Sequence, residues 1–448
     1  MTTAALRRPP GPRIGRLEAV RAFRTDVLRL FERAASHGDV AFFRAGPFGV
    51  YALSHPDLVR DVLVVRHRDV MKGRGLQALK VLLGEGLLTS EGDVHRRQRR
   101  TIQPIFRHER IRGYGEVMVE QAERLTAGWE DGATVDVHEE MYRLTLAIVG
   151  RTLFDRDIEA EDAREVSEAL NTGLELFDRL MSPFAPLLSR LPLPNTVRLN
   201  RARDRLDRMI YRMIEERGRA GTGDDLLSLL LRARDEEGDG ALMSDRQVRD
   251  EAMTIFLAGH ETTSVALTWT WYMLSQHPEA EAALRAELDD VLGDRPPTVD
   301  DLHRLTYAEC VLTESMRLYP PAYVLGRTAL VDLDLGGYRV PKGATMLASQ
   351  WVIHRDPRWF DDPLAFRPDR WTPELRASLP RYAYFPFGAG PRICIGEPFA
   401  WMEGVLLLAA IAHRWRMRLV SGHPVTPRPK VTLRPAHGMR MTLRRAIP

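Results

Sequence analysis

Phe387-Gly388-Ala389-Gly390-Pro391-Arg392-Ile393-Cys394-Ile395-Gly396 contains one of only two cysteines in this chain of 448 residues. Glycines on both sides of Cys394, and an arginine two residues before it, describe a cysteine fixed in a tight loop. A buried structural cysteine behaves as a small hydrophobe and needs no such setting. A nucleophilic cysteine wants a histidine partner, and no local signature for one surrounds Cys394. Zinc would ask for further sulfur or a paired histidine motif nearby. The use that fits best is as the thiolate axial ligand of a haem.

Each residue type in the stretch has a physical reason under that reading. Gly390 and Gly396 let the backbone turn tightly and approach a flat macrocycle with no Cβ in the way. Backbone N–H groups of the loop can point at the sulfur and tune its donor strength. Arg392 places a guanidinium where a haem propionate can be paired bidentately. Phe387 walls the sulfur side, limits water and helps set the redox potential, with Gly388 beside it in the same cofactor-contacting loop. In this pattern the sequence resembles the cytochrome P-450 family, whose haem loop reads Phe-x-x-Gly-x-Arg-x-Cys-x-Gly; all five fixed positions match.

Composition sets the outer bounds. Hydrophobic residues make up 44% of the chain and charged residues 28%, an ordinary globular balance. A formal net charge of +3 argues against a dedicated nucleic-acid binder. Positive charge is almost all arginine, since Lys72, Lys80, Lys342 and Lys430 are the only lysines. Two cysteines in unlike surroundings make no disulfide framework, which favours a reducing cytoplasm. Cys310 reads as a core residue on a helix. No apolar run is long enough to cross a bilayer, so no stable membrane insertion is expected. The basic, Pro-rich start, residues 1–16, is expected to be flexible, and residues 1–448 to form a single domain.

Along the chain, two strand-like runs from Val40 and Val50 are parted by a Gly/Pro turn. Helical spacing dominates from Gly92 to Tyr319, including a helix over Val197–Arg219. Ser244-Asp-Arg-Gln247 reads as a capping box opening a helix of about thirty residues. Pro183–Pro194 is expected to be a mobile connection and Asp235–Ala241 a loop. Short strands are expected at Leu333–Val340, Thr345–Leu347 and Val431–Leu433, a helix at Glu397–Arg416, and a terminal hairpin. The fold class is mainly α with small sheets, not alternating βαβ. The resemblance implies one triangular domain of many helices, with haem between the long central helix and the Cys394 loop.

The long helix carries Ala258-Gly259-His260-Glu261-Thr262-Thr263. Glycine in mid-helix costs about 1 kcal/mol against alanine, so it marks a packing or functional need. Close helix packing, with threonine bonded back to a carbonyl, accounts for the same residues. Beside the Cys394 loop the functional reading is favoured: the family's small residue, Gly, any residue, acid, Thr is met in full. The resemblance then implies Ala258 against the haem and a widened turn that accepts dioxygen. Thr262 is implied to hydrogen-bond the distal oxygen, and Glu261 to relay protons from solvent.

Further matches follow in order. Glu314 and Arg317, three apart on one helix face, are implied to join Arg370 of Phe366-Arg-Pro-Asp-Arg-Trp371 in a buried network that locks the loop leading to Cys394. His95 and Arg99, four apart on one face, are implied to reach the haem propionates together with Arg327 and Arg392, with Lys72 a possible helper. Arg96, Arg97 and Arg100 then face outward, where an acidic electron carrier can dock. As a lone basic hexamer this run is otherwise a solvated helix face.

The resemblance, from about Ala41 to Leu443, implies a monooxygenase with haem b. One atom of O2 enters an unactivated C–H bond and the other leaves as water, the thiolate favouring O–O cleavage. With 54 residues after Cys394 (448 − 394) and no flavin or iron–sulfur segment, electrons from NAD(P)H are expected through a separate ferredoxin and ferredoxin reductase. A monomer in the cytoplasm is expected. Phe177, Met181, Leu257, Val324, Leu325 and Met439 are candidate walls of a hydrophobic substrate pocket, though each on its own reads equally well as core. A terpenoid of bacterial secondary metabolism, such as antibiotic biosynthesis, is the expected substrate. Fatty-acid or polyketide hydroxylation is the near alternative. A haem-thiolate hydroperoxide isomerase or dehydratase is disfavoured by Glu261-Thr262, and a haem gas sensor by the lack of a spare output segment.

Overall fold

The computed structural model describes residues 8–106, 111–154, 172, 193–220, 223, 225–233 and 242–446. Phe177, Met181, the Asp235–Ala241 loop and most of Pro183–Pro194 lie outside them. The chain divides into two compact bodies. One comprises Met1–Ala78, Arg317–Ala365 and Arg370–Cys394; the other comprises Leu79–Met316, Phe366–Asp369 and Ile395–Pro448.

The first body is organised by a five-stranded sheet. Its order is Val40–Ala45, Phe48–Leu53, Thr345–Ala348, Leu325–Ala329, Val70–Lys72. Only the contact between Phe48–Leu53 and Thr345–Ala348 is parallel. The expected Gly/Pro turn closes the first hairpin: Ala45 pairs with Phe48 across Gly46-Pro47. Gly46 takes φ +60°, as the first central position of a two-residue hairpin loop demands. The expected strand Leu333–Val340 is instead two, Leu333–Leu335 and Tyr338–Val340. Gly336 and Gly337 between them both take positive φ, +58° and +79°, which folds the run back on itself. At the start of the chain Pro9 and Pro12 are buried, and the Phe42 amide donates to the Pro10 carbonyl at 2.8 Å.

The apolar side of this sheet packs Tyr51, Leu53, Met346 and Ala348 against Phe385 and Ala389. Those last two residues flank the stretch that leads to Cys394, so the sheet's core and the cysteine loop are one packed unit. Polar anchoring completes the attachment. Arg317, fully buried, donates to the carbonyls of His354 at 2.8 Å, Pro363 at 2.6 Å and Ala365 at 3.0 Å. Arg370 donates to those of Asp361, Asp362 and Ala365. The irregular segment 354–365 has no ladder to absorb these carbonyls, and two guanidiniums serve instead.

The second body is built on the helix Asp245–Gln276. Ser244 caps it as expected, its Oγ accepting from the Gln247 amide while Gln247 Oε1 accepts from the Ser244 amide. Trp269 and Trp271 are buried along it, and Trp269 Nε1 donates to the Leu433 carbonyl at 2.7 Å. A helix apolar around most of its circumference is a core element. Val137–Phe154, Pro194–Ala220 and Glu397–Ala412 are further helices of this body. Pro194–Ala220 begins three residues before the expected start, because proline is tolerated at the first helical position. Glu397–Ala412 ends four residues before the expected Arg416, where the strand Trp415–Leu419 takes over. That strand pairs with Arg440–Arg445, which pairs in turn with Thr134–Asp136. The strand expected at Val431–Leu433 lies at Leu433–Pro435, paired with Pro427–Pro429. Cys310 is on the helix Thr306–Leu318 but is only half-buried, not core. Among the described residues no helix is long and apolar enough to cross a membrane.

Replacing Arg317 with methionine strands three carbonyls and is expected to lower stability by about 3 kcal/mol. Arg317→Lys should recover little of it, since one ammonium cannot reproduce the planar fork. Thermal unfolding of both variants checks this; a melting temperature within a degree or two of the parent for either would remove Arg317 as the anchor.

Candidate active site

In the first body, the loop 387–396 closes on itself. The Cys394 amide donates to the Phe387 carbonyl and the Ile393 amide to the Gly390 carbonyl, both at 3.0 Å. Glycine is required at Gly388, φ +80°, and at Gly390, φ +68°. A Cβ on Gly390 would also collide with the Leu63 carbonyl. Gly396 differs from expectation. It caps the helix Glu397–Ala412 at φ −86°, a conformation open to any residue, so no backbone turn explains it. Cys394 itself is exposed, with Phe387 and Arg392 partly exposed nearby in sequence.

The same body places two buried cations opposite each other. Lys72 and Arg327 are partners in the antiparallel register of neighbouring strands and are 5% and 6% exposed. Side chains so paired share one face, and like charges there repel unless an anion joins them. Val324 and Leu325 are partly exposed.

The second body carries the expected turn of the long helix. Within an otherwise buried stretch, Ala258, Gly259 and Thr262 form the row with open surface. Thr262 Oγ1 donates to the Ala258 carbonyl at 2.7 Å. The next three carbonyls also receive hydroxyls: Gly259 from Thr263 at 3.5 Å, His260 from Thr145 at 3.0 Å and Glu261 from Ser264 at 2.9 Å. Hydroxyls thus meet four consecutive carbonyls, yet the helix runs unbroken through the turn from Asp245 to Gln276, without the widening expected of it. Gly259 has a packing reason as well, since a Cβ there would press on Val149 at 3.1 Å. On the helix Gly92–Ile102, His95 is buried and Arg99 partly so, while Arg96 and Arg100 are exposed and Arg97 half-exposed. Glu314 accepts from the Arg367 amide at 3.0 Å.

The model of the family described as Cytochrome P450 matches residues 7–441. The chain belongs to the cytochrome P450 family. It is 42% identical to cyclooctatin synthase of Streptomyces melanosporofaciens over 91% of this chain and 89% of that one. Cyclooctat-9-en-7-ol 5-monooxygenase of the same organism is 38% identical, over 88% and 86%. Pentalenene oxygenase of Streptomyces avermitilis is 36% identical, over 93% and 92%. A crystal structure of the cytochrome P450DA heme domain superposes with a TM-score of 0.90 at 28% identity, covering 99% of both chains. The protein is therefore a P450 monooxygenase, a haem-iron enzyme that uses O2.

The residues fit that cofactor. An exposed cysteine in a rigid loop supplies a thiolate, and the Lys72–Arg327 pair has the charge to receive a carboxylate. Ala258 and Gly259 leave room on the helix for a flat ring. Among the described residues no cluster of three or more His, Cys, Asp or Glu is placed to hold a metal.

Glu261 departs from the expected open relay. It is 3% exposed, and its Oε1 accepts from Thr432 Oγ1 at 2.6 Å and Arg434 Nε at 2.5 Å, while Arg434 Nη2 pairs with Oε2. Burial pushes its pKa up, but the Arg434 charge and these hydrogen bonds overcome it, so the carboxyl is held below its ordinary range. Neither Arg434 nor Thr432 was visible in the motif, being more than 170 residues away in sequence. His260, beside Glu261, is wholly buried and neutral, its pKa lowered chiefly by burial; its Nδ1–H donates to the Phe256 carbonyl at 2.6 Å. Glu403 was also missed. It is wholly buried near Thr263, and burial pushes its pKa up to about 8, so it is uncharged at neutral pH. Met439, expected on the pocket wall, has no exposed surface, and Leu257 has 5%. Met439 is held instead by its amide, which donates to Asp136 at 2.9 Å; it borders no open space.

The two carboxyls give pH signatures of opposite sign. A raised folded pKa means that Glu403 favours the fold below pH 4.5 and loses that contribution as pH rises towards about 8. Glu403→Gln should therefore flatten the fall in melting temperature across that window; an unchanged slope would show that the residue is charged when folded. Glu261, with a lowered pKa, contributes fully above 4.5 and loses its contribution as pH falls below it. Arg434→Met leaves burial, the largest cause, opposed only by the Thr432 hydrogen bond and His260, and should reverse that sign, so that stability declines as pH rises above 4.5. Paired melts of Glu261→Gln in both backgrounds isolate this difference.

Proposed function

We propose that this P450 hydroxylates a terpenoid skeleton, with electrons delivered by a separate ferredoxin and its reductase. What carries the substrate class is the resemblance to three enzymes named for cyclooctatin, cyclooctat-9-en-7-ol and pentalenene, each over nearly nine-tenths or more of this chain. Cys394 is read as the axial thiolate, and His95, Arg99, Arg327, Arg392 and Lys72 as partners of the propionates. Phe387 and Gly388 shield the sulfur, and Gly396 starts the helix that follows.

Bound haem supplies the redox centre at which O2, two electrons and two protons convert R–H into R–OH and water. The protein's part is to deliver the protons and exclude bulk water. Thr262 has its hydroxyl proton committed to the Ala258 carbonyl, so its Oγ1 presents lone pairs and acts as an acceptor that orients a water or an oxygen-bound proton. Glu261 is ionised and locked by Arg434. Its relay role requires it to leave that pair, which makes Arg434 the gate on proton entry. Arg96 and Arg100, exposed on the helix of His95, suit an acidic electron carrier.

The decisive experiment is carried out on the holoenzyme. The reduced, carbon-monoxide-treated protein should show the red-displaced band of thiolate ligation, and Cys394→Ser should abolish it. Pentalenene or cyclooctat-9-en-7-ol should displace water from ferric iron in spectral titration, and turnover under 18O2 should place one heavy atom in the product. Thr262→Ala should retain binding but divert most O2 to peroxide. Binding of fatty acids with no response to either terpenoid would overturn the substrate class, and full coupling in Thr262→Ala the role of that residue.

A further inference from the structure

Three consecutive charged residues, Arg249, Asp250 and Glu251, are buried on the second turn of the long helix, at 5%, 4% and 0% exposure. Burying charges in a helix is costly unless every one is bonded. The two carboxylates each accept from a backbone amide. Asp250 Oδ2 accepts from the Glu85 amide at 2.8 Å, and Glu251 Oε2 from the Leu87 amide at 2.9 Å. Glycines make the approach possible. A Cβ on Gly84, which takes φ +67°, would collide with the Asp250 carboxylate, and one on Gly86 with Thr254 Oγ1. The segment Leu82–Leu87 is thus pressed onto the helix by design of its sequence, Gly84-Glu-Gly86-Leu87. Gln98 Nε2 secures its far side, donating to the Glu85 carbonyl at 2.6 Å.

The position of this clamp matters. Thr254 is one helical turn before Ala258, and Glu251 two turns, on the same face. At 1.5 Å per residue, Gly86 therefore borders the helix about 6 Å from the row Ala258–Thr262. Arg249 then adds a link to a third element. Its Nη2 donates to the Leu82 carbonyl at 3.0 Å and its Nη1 to Asp250 Oδ1 at 2.8 Å. Its Nε donates to Asp207 Oδ1 at 2.7 Å, on the helix Pro194–Ala220. The two ends of the link are unequal: the Asp250 side chain is 6% exposed and that of Asp207 is 27% exposed. The Asp207 end is the one that water can reach and release.

We propose that Arg249 is a positioning residue for substrate, coupling the helix Pro194–Ala220 to the segment Leu82–Leu87 so that the two elements respond to a bound molecule together. The coupling rests on geometry alone; its effect on substrate rests on the terpenoid reading above. Asp207→Ala is the informative variant, since it removes the one oxygen that accepts from both Arg249 Nε and Nη2 while Arg249 keeps Asp250. In the substrate-free holoenzyme, hydrogen exchange at the Glu85 and Leu87 amides should accelerate, although neither touches residue 207. Pentalenene or cyclooctat-9-en-7-ol should bind about tenfold more weakly, within what one charge-assisted hydrogen bond provides. The carbon-monoxide band and the kcat at saturation should stay unchanged, and Asp207→Glu should restore affinity. Unaltered exchange at both amides overturns the coupling. Altered exchange with unaltered affinity, in an enzyme that binds these terpenoids, overturns the positioning role. If the parent binds neither terpenoid, the substrate class fails, and exchange alone still decides the coupling.

Discussion

The Arg317 guanidinium is the constraint on which the cysteine loop depends. It gathers the carbonyls of His354, Pro363 and Ala365 at one point. From there the chain of bonds is continuous. His354 Nε2 accepts from the Phe385 amide at 3.0 Å, the Phe385 carbonyl from the Gly388 amide at 3.0 Å, and the Phe387 carbonyl from the Cys394 amide. Outside the short 3-10 turn Gly390–Arg392, the segment leading to the sulfur is held by single hydrogen bonds rather than by a helix or strand ladder. Precision without regular structure is dear in conformational entropy. Packing of Phe385 and Ala389 into the sheet's core supplies the offsetting burial.

The long helix solves the opposite problem, a regular element that must carry irregular chemistry. Its core position would suit an apolar sequence throughout, yet Arg249, Asp250, Glu251, His260 and Glu261 are all buried in it. Arg249, Asp250, Glu251 and Glu261 bond sideways to neighbouring elements, while His260 bonds back to the Phe256 carbonyl of its own helix, so the helix works as a rod with brackets. The hydroxyl-lined turn at Ala258–Thr262 follows the same logic. Hydroxyls of Thr262, Thr263, Thr145 and Ser264 compete for its carbonyls, and Gly259 lets Val149 close in.

What could be read from sequence was whatever is local. The Cys394 loop, the Ala258–Thr262 motif, the capping box at Ser244 and the Gly46 hairpin each declare themselves within ten residues. What escaped was pairing across sequence. Arg434 and Thr432 meet Glu261 from a short strand near the C-terminus, and Asp207 meets Arg249 from another helix. Nothing in the spacing of either partner marks them. Glu403 escaped for another reason: a glutamate on a helix reads as surface, and only packing shows that it is buried and uncharged. Met439, expected on the pocket wall, is wholly buried, which a hydrophobic residue's place in the sequence does not reveal. The glycines divide similarly: Gly388 and Gly390 need their conformations, whereas Gly396 does not.

Lys72 and Arg327 extend this reasoning from contacts to charge. Two cations sharing one face of a ladder, both nearly inaccessible, repel each other and lose hydration, a cost that their other contacts must offset. A carboxylate-bearing cofactor of the kind this family holds reverses both terms at once, since it neutralises the pair and replaces its water. Whatever binds the native state and not the unfolded chain adds its binding free energy to stability. Under the proposed reading of Lys72 and Arg327 as propionate partners, haem would contribute to the electrostatic balance at the edge formed by Leu325–Ala329 and Val70–Lys72. Cofactor binding and the integrity of that sheet edge would then be coupled through these two residues.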